Sequence, residues 1–337
     1  MDMIGCSTVG FNMKEFLSAK VSFDGLLLCL GALVCIFTAT AFLGGIGWPC
    51  EITSHFRNQY AACLVVLAAT FCLRRKFKAV GIFAGFAAAN LIVVAHCLSG
   101  AKSSLETAGH NLRVMLINVR TENERYDLVI ACINKYRPDL LVVEEVDERW
   151  LNELARLRED YPHAKHQARE DNFGIALFSL LPMNGAEIVY LGDAELPSVT
   201  AQLEVGDRRM TVVGTHPLPP GSPGNFRLRN EQLEAVAKFV RSETNPVVVI
   251  GDLNATPWSY YFRRFVKESG LEDTSKGKGI HATWPAGLFP LLIPIDHCLA
   301  SPEIGVAGKT IGGSVGSDHL PVIVDLHLPS GVSRERL

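Results

Sequence analysis

Six short segments in the later part of this 337-residue chain place carboxylates, amides and imidazoles at the ends of apolar runs. Leu116-Ile117-Asn118-Val119-Arg120 and Val142-Val143-Glu144-Glu145-Val146 are two of them. Val213-Gly214-Thr215-His216-Pro217, Ile250-Gly251-Asp252-Leu253-Asn254, Ile295-Asp296-His297 and Gly316-Ser317-Asp318-His319-Leu320-Pro321 complete the set. Carboxylates with Asn and His, and no thiolate, suit Mg²⁺ or Mn²⁺ better than zinc. The same groups suit attack of water on a phosphate ester. Charge then builds on the non-bridging and leaving oxygens, where a cation and imidazolium groups stabilise it, while a carboxylate-held water supplies the nucleophile. No covalent nucleophile is needed, and neither a Gly-rich nucleotide loop nor a Cys-x5-Arg signature occurs.

Taken singly, each segment has a plain structural reading. Asp252-x-Asn254 is a common Asx turn, and Asp318-His319 a capped turn. Asp296-His297 could be a surface pair, Glu144-Glu145 a solvated strand end, and His216 a loop histidine. They become one site only if the elements carrying them share an edge. Strands are expected at 113–119, 139–146, 174–180, 199–205, 210–215, 246–251, 295–300 and 321–328. Helices are expected at 124–136, at 147–159 with Asp147 as N-cap, and at 226–242, where Leu228, Leu233, Val236, Phe239 and Val240 form an apolar stripe. Strands alternating with helices gather their ends along one edge of a sheet. Several short connections predict a mixed sheet.

The first hundred residues differ in kind. Seven of the 32 Lys/Arg and four of the 35 Asp/Glu fall there, leaving 25 and 31 for the remainder, a net of −6. Uncharged stretches predict membrane spans at about 25–49, 58–73 and 79–100. The cluster Arg74-Arg75-Lys76-Phe77-Lys78 belongs in the cytoplasm by the positive-inside rule, so the third span delivers the rest of the chain to the other side. Ala39-Thr40-Ala41 imitates a signal-peptidase site, but the apolar run continues to Trp48 and further spans follow. Seven of nine cysteines lie in this region, and Cys132 and Cys298 show no CxxC-type spacing. The division is a membrane unit 1–100, a linker 101–111, an α/β domain 112–328 and a tail 329–337. Composition excludes a disordered chain, a basic nucleic-acid coat and a wholly soluble protein.

In this order the segments resemble the endonuclease/exonuclease/phosphatase superfamily, the DNase I-like fold, over about residues 112–328. The motifs are Asn118 in INVR, Glu145 in EEV, the strand GIALFS, His216 in GTHPLPP, then GDLNATP, IDH and GSDHLPV. The resemblance implies an α/β four-layer sandwich, two mixed β-sheets face to face with helices outside. It implies Glu145 as metal ligand with Asn118 beside it on metal and phosphate, and Asp318 near enough to help. Asp252 matches the residue that orients or deprotonates the water, and Asn254 the one that holds a phosphoryl oxygen. His319 matches the histidine facing the scissile phosphate, and Asp296 the carboxylate that fixes its tautomer. His216 matches a second histidine that donates to phosphate or leaving group. One departure stands out: Glu144 occupies a position where the family commonly has Gln, and it either adds negative charge near the cation or, as strand alternation favours, points to the face opposite Glu145. The spans, with GWPCEITSHFRNQY between them, look like the bacterial membrane-anchored branch.

The expected product of this reading is a membrane-anchored, Mg²⁺- or Mn²⁺-dependent phosphodiesterase. It would be multi-pass in a bacterial inner membrane, with its catalytic domain on the periplasmic side and no obligate protein partner. The partners are the bilayer and a phosphate ester, either a lipid head-group or a nucleic acid. An acidic domain favours the lipid, because a nuclease needs a basic stripe to neutralise backbone phosphates. Arg229 is expected to grip phosphate. The apolar stretch 287–294 reads either as a membrane-dipping loop or as a buried connection. The alternatives are an externally facing nuclease and, in another class, a catalytically silent scaffold for binding or sensing.

Overall fold

The structure is a computed structural model and describes residues 22–100 and 109–330. Its N-terminal part is helical: α1 (Phe23–Ala41), α2 (Trp48–Ser54), α3 (Arg57–Leu73) and α4 (Phe77–Leu98). α1 and α4 are long and apolar enough to cross a membrane, and α2 with α3 passes the same test as a pair bent by 64°. α1 ends earlier than the uncharged run predicts. Gly44, Gly45 and Gly47 follow it, and the chain turns into α2 there instead of continuing as helix. Val34, Leu64, Leu67, Phe71, Phe83 and Ala87 pack the three long helices together. Gly31 lies directly under the Phe83 ring, leaving no room for a Cβ. Arg57 donates to the Ala41 carbonyl and to Asn90 Oδ1, and Asn90 donates to Thr38 Oγ1, so these buried polar groups link the helices. At the far end Asp24 pairs with Arg74 and Lys76.

Residues 109–330 are built on strands that are apolar on both faces. β1 (Gly109–Asn118) sends Leu112, Val114 and Leu116 one way and Met115 and Ile117 the other, and all five are buried. Such a strand must be covered on both sides. The pattern recurs in β2 (Leu140–Glu144) and β8 (Val247–Asp252). The remaining strands are β3 (His163–Gln167), β4 (Ile175–Ser179), β5 (Met183–Tyr190), β6 (Pro197–Val205), β7 (Arg208–Thr215), β9 (Glu272–Asp273), β10 (Asp296–Ala300), β11 (Gly305–Ile311) and β12 (Val322–Pro329). They form two six-stranded sheets, ordered β11-β12-β1-β2-β4-β3 and β5-β6-β7-β8-β10-β9. Each contains one parallel pair, β1 with β2 and β7 with β8; the other neighbours run antiparallel.

The inner faces of both sheets meet in one core that includes Val114, Leu116, Val142, Val199, Val212, Val248 and Ile250. Outside the first sheet lie α5 (Tyr126–Tyr136) and α6 (Glu148–Leu154), burying Val129, Ile133, Trp150 and Leu154. Outside the second lie α7 (Pro223–Ser242) and α8 (Tyr260–Ser269), burying Leu233, Val236, Val240, Phe262 and Phe265. Each large apolar side chain so buried contributes about 1.5–3 kcal/mol. This is the four-layer sandwich expected. Asp147 caps α6 by accepting from the Trp150 amide.

Some elements were not foreseen. β1 starts at Gly109, inside the stretch assigned to a linker, and 101–108 lie outside the described residues, as do 331–337 of the tail. β3, β5 and β11 have no continuous apolar run because all three are half-exposed strands, β3, β5 and β11 being sheet edges. Edge strands carry polar residues that a run-based reading passes over. α8 was not foreseen although Phe262, Phe265, Val266 and Ser269 form one face of it, because the helix is only ten residues long.

Candidate active site

The inner-face positions of the strands decide where the polar ends go. In β1 the inner residues are Leu112, Val114 and Leu116, and two further along is Asn118. The same step leads from Leu140 and Val142 to Glu144, from Val248 and Ile250 to Asp252, and from Ala300 and Cys298 back to Asp296. A side-chain period of two therefore aims four polar side chains into the mouth between the sheets. β10 pairs antiparallel with β8, and Asp296 stands opposite Asp252 in register. His216 follows the end of β7, and His319 lies in the loop entering β12.

His319 links the two aspartates. Its Nδ1 is 2.9 Å from Asp296 Oδ2, and its Nε2 is 3.7 Å from Asp252 Oδ2. Burial alone would lower the His319 pKa, but the charge and hydrogen bond of Asp296, aided by Asp252 and Asp318, hold it up at about 10. The imidazolium in turn overcomes the burial of Asp296 and keeps that carboxyl below its ordinary range. Asp252 moves the opposite way: burial and then the charge of Asp296 raise it well above the usual carboxylate value. A carboxylate raised in this manner is a stronger base toward a water held beside it.

Glu145 lies just past β2 in the left-handed region, φ 61°, so the alternation breaks there and its carboxyl turns into the cavity. Asn118 Nδ2 donates to Glu145 Oε1 at 2.8 Å. Burial raises Glu145, against the Asn118 hydrogen bond and the His319 charge, and Asp318 adds to the rise. Asp318 itself accepts from Trp284 Nε1 at 3.1 Å. Converging carboxylates that repel one another in this way suit a hard divalent cation, and the donors are oxygens without thiolates. Ligand atoms of Asp252, Asp296 and His319 lie within 4.8 Å of one another. Within that trio, however, His319 Nδ1 is already spent on its hydrogen bond to Asp296. Glu145, Asn118 and Asp318 are the residues that could hold a metal.

His216 places Nε2 3.6 Å from Asp252 Oδ2, and burial followed by the charge of His319 lowers its pKa to about 3. It is thus a neutral imidazole, and its Nδ1 has no hydrogen-bond partner among the described residues. Asn254 adopts φ 49°, with its amide N–H on Asp252 Oδ1 and one side-chain N–H on the Pro217 carbonyl. The Asn amide carries a second N–H that an oxygen ligand can accept. Glu144 points between the sheets, as alternation requires, and takes the Asp252 amide N–H on Oε2 at 3.0 Å. Burial and the charge of Asp252 raise its pKa well above normal, and its carboxyl oxygen accepts that N–H as a Gln amide oxygen would.

Arg229 is the exception among the expected residues. It is fully buried, does not line the cavity, and spends its guanidinium on Glu51 Oε1 at 3.1 Å, the Asn254 carbonyl at 2.8 Å and Asn230 Oδ1 at 2.8 Å. It cannot grip a substrate from there. The structure also adds residues that sequence reasoning missed. The cavity has a volume of about 580 Å³ and is lined not only by Glu145, Asp252, Asp318 and His319 but also by Phe173 and Trp284, and by Ile52, His55 and Phe56 of the helical part. The one available signal was the polar content of the segment between the first two spans: Glu51, His55 and Arg57 in an otherwise uncharged region.

A carboxylate–histidine–carboxylate unit at the open end of a two-sheet sandwich defines a phosphoester-hydrolase type of site. Residues 111–319 match the model of the Endonuclease/Exonuclease/phosphatase family, and the chain belongs to that family. Comparison with curated proteins finds no match. Among solved structures the chain is similar to an endonuclease/exonuclease/phosphatase from Beutenbergia cavernae, at 24% identity over 66% of this chain and 72% of that one, with a TM-score of 0.52. It is similar to the human Nocturnin catalytic domain with bound sulfate, at 21% identity over 64% and 94%, TM-score 0.52. It is also similar to sphingomyelinase C from Streptomyces griseocarneus, at 17% identity over 64% and 99%, TM-score 0.50. These likenesses establish the fold, and family membership supports a phosphoester hydrolase.

Proposed function

We propose that this protein is a membrane-anchored, divalent-metal-dependent phosphodiesterase acting outside the cytoplasm on a lipid head-group or comparable envelope phosphodiester. The observation that carries the reading is the cavity. Its floor is the Glu145, Asp252 and His319 cluster, while Ile52, Phe56, Phe173 and Trp284 give it apolar walls. A site for a bare nucleic-acid backbone has less use for such walls than one for an ester with an apolar portion. Leu288, Phe289 and Leu291 are exposed on the loop 287–292, and Gln59 at the start of α3 donates to its Leu292 carbonyl. That ties the base of an apolar loop to the start of α3, which supports the membrane-dipping reading of the loop. The Arg74–Lys76 cluster lies at the opposite ends of α3 and α4 from this loop, which supports a cytoplasmic far side and an extracytoplasmic catalytic domain.

In this reading Glu145, Asn118 and Asp318 hold Mg²⁺ or Mn²⁺, which would neutralise charge on the phosphoryl oxygens. Asp252 takes a proton from the attacking water as the water oxygen bonds to phosphorus and the ester P–O bond breaks, and the leaving oxygen takes up a proton from solvent. The second N–H of Asn254 and the His319 imidazolium donate to the phosphoryl oxygens, and neutral His216 offers a further N–H. The bilayer is the only macromolecular partner required.

The test uses the full chain in lipid nanodiscs with Mg²⁺ or Mn²⁺. Its panel is sphingomyelin, phosphatidylinositol phosphates, plasmid DNA, RNA and a chromogenic diester. Metal-dependent cleavage of a lipid, lost in Asp252→Ala and His319→Ala, supports the proposal. Preferred cleavage of DNA or RNA, with salt-sensitive binding, moves the assignment to an external nuclease. No turnover together with no calorimetric metal binding returns it to a silent scaffold.

A further inference from the structure

The geometry points to Glu51 as a positioning residue of the catalytic site, acting from the helical part through Arg229 on the backbone of Asn254. The inference rests on the hydrolase reading for its activity arm only. Arg229 joins the two parts: Nη2 reaches Glu51 Oε1, and Nη1 donates to the carbonyl of Asn254. Its guanidinium carbon lies over the rings of Phe226 and Tyr261, 5.7 and 5.8 Å from their centroids, and these two rings pack edge-on against each other beside it. Both Glu51 and Arg229 are fully buried, where each charge depends on the other.

The segment they hold is the catalytic turn. Asn254 sits at φ 49°, a conformation that an L-residue keeps only when its surroundings determine it. The segment just after it is pinned to the same helical hairpin at three more points. Thr256 meets His55 Nδ1 through its hydroxyl at 3.2 Å, the Trp258 indole donates to the His55 carbonyl at 3.1 Å, and Ser259 Oγ donates to Glu51 Oε1 at 2.8 Å. A fourth bond, Trp48 Nε1 to the Pro220 carbonyl at 2.6 Å, fixes the loop following His216. The hairpin 48–56 is therefore built into the site: it supports the turn bearing Asp252 and Asn254 and supplies one cavity wall. Residues 109–330 alone would keep the catalytic side chains but lose the strut that orients Asn254.

The test compares full-length wild type, Glu51→Gln, and the double variant Glu51→Leu/Arg229→Met, which replaces the buried pair by apolar groups of similar size and so keeps the packing. The readouts are amide hydrogen exchange across 252–259, thermal unfolding, and kcat and KM on a chromogenic phosphodiester. The expected result is faster exchange confined to 252–259 and a fall of about tenfold in kcat with little change in KM, in both variants, the double variant keeping the wild-type melting temperature within a few degrees. Unchanged exchange in that segment overturns the inference. So does acceleration spread evenly over the sheets with a matching fall in melting temperature, which marks a merely structural pair. If wild type cleaves nothing, the hydrolase reading fails, and the exchange pattern in the double variant still decides the positioning role.

Discussion

Asp296 and Asp252 face each other across the last rung of the β8–β10 ladder, and the imidazole of His319 bridges them, bonded to the first and 3.7 Å from the second. The antiparallel register puts two carboxylates where only one can ionise freely. His319 decides which: it hydrogen-bonds Asp296 and keeps it charged, leaving Asp252 with the raised pKa of a base.

Asp296→Asn is expected to shift the alkaline limb of the pH–rate profile. Wild-type His319 stays protonated up to about 10, so its contribution to activity and stability is complete below its ordinary value of 6.5 and is lost as pH rises through about 10. Without the Asp296 charge, the loss moves down toward 6.5. Profiles of kcat from pH 6 to 11 and denaturant unfolding at pH 7 and 10 check this; coincident profiles would refute it.

Asp252→Asn and His319→Gln should each lower turnover by about 10²–10⁴-fold, the usual scale for losing a proton-transfer group. Melting temperatures should stay close to wild type or rise for Asp252→Asn, which removes a buried carboxyl from a cluster of like charges. Combining the two substitutions should cost far less than the product of the single losses, because the residues act as one unit.

Glu144→Gln is expected to preserve activity, since an amide oxygen can still accept the Asp252 N–H. Glu144→Ala leaves that buried donor unpaired and should destabilise by about 1–3 kcal/mol. Because burial and the charge of Asp252 raise the Glu144 pKa, folding takes up a proton above the ordinary value of 4.5. Its contribution is present below the ordinary value of 4.5 and is lost as pH rises beyond it. The Gln variant should therefore lose less stability than wild type between pH 5 and 8, as read by chemical denaturation.

Glu145→Ala should abolish calorimetric Mg²⁺ binding, and Asn118→Ala, which removes the amide orienting Glu145, should weaken it by about 10–100-fold. Chelation should stop turnover and added Mn²⁺ or Mg²⁺ restore it. Equal metal affinity in wild type and Glu145→Ala would exclude this residue as the seat.

Phe289→Asp changes a side chain that is 83% exposed at the tip of the 287–292 loop. Turnover of a vesicle-borne substrate should fall several-fold while a soluble chromogenic diester is cleaved at the wild-type rate. Equal effects on both would argue against contact of this loop with lipid.

Much of the site was legible in the sequence because its logic is local. Apolar strands that end in Asn118, Glu144, Asp252 and Asp296 declare both their burial and their polar termini, and period-two alternation sends those four termini to the same face as the inner core. The helices within residues 22–98 and the mixed sheets follow from equally local patterns, whereas the positive φ of Glu145, which turns its carboxyl to the same mouth as Glu144, does not. What depends on residues far apart in the chain could not be read this way. Arg229, on an amphipathic helix among other basic residues, looked free to bind phosphate, and only tertiary packing brought it against Glu51, 178 residues away. The cavity wall contributed by Ile52, His55 and Phe56 likewise arises from distances and burial that no run of residues encodes. Sequence alone determined which chemical groups stand at the strand ends; the tertiary structure decided their partners, because charge and hydrogen bonding act through space and the low dielectric of the interior amplifies small differences in distance.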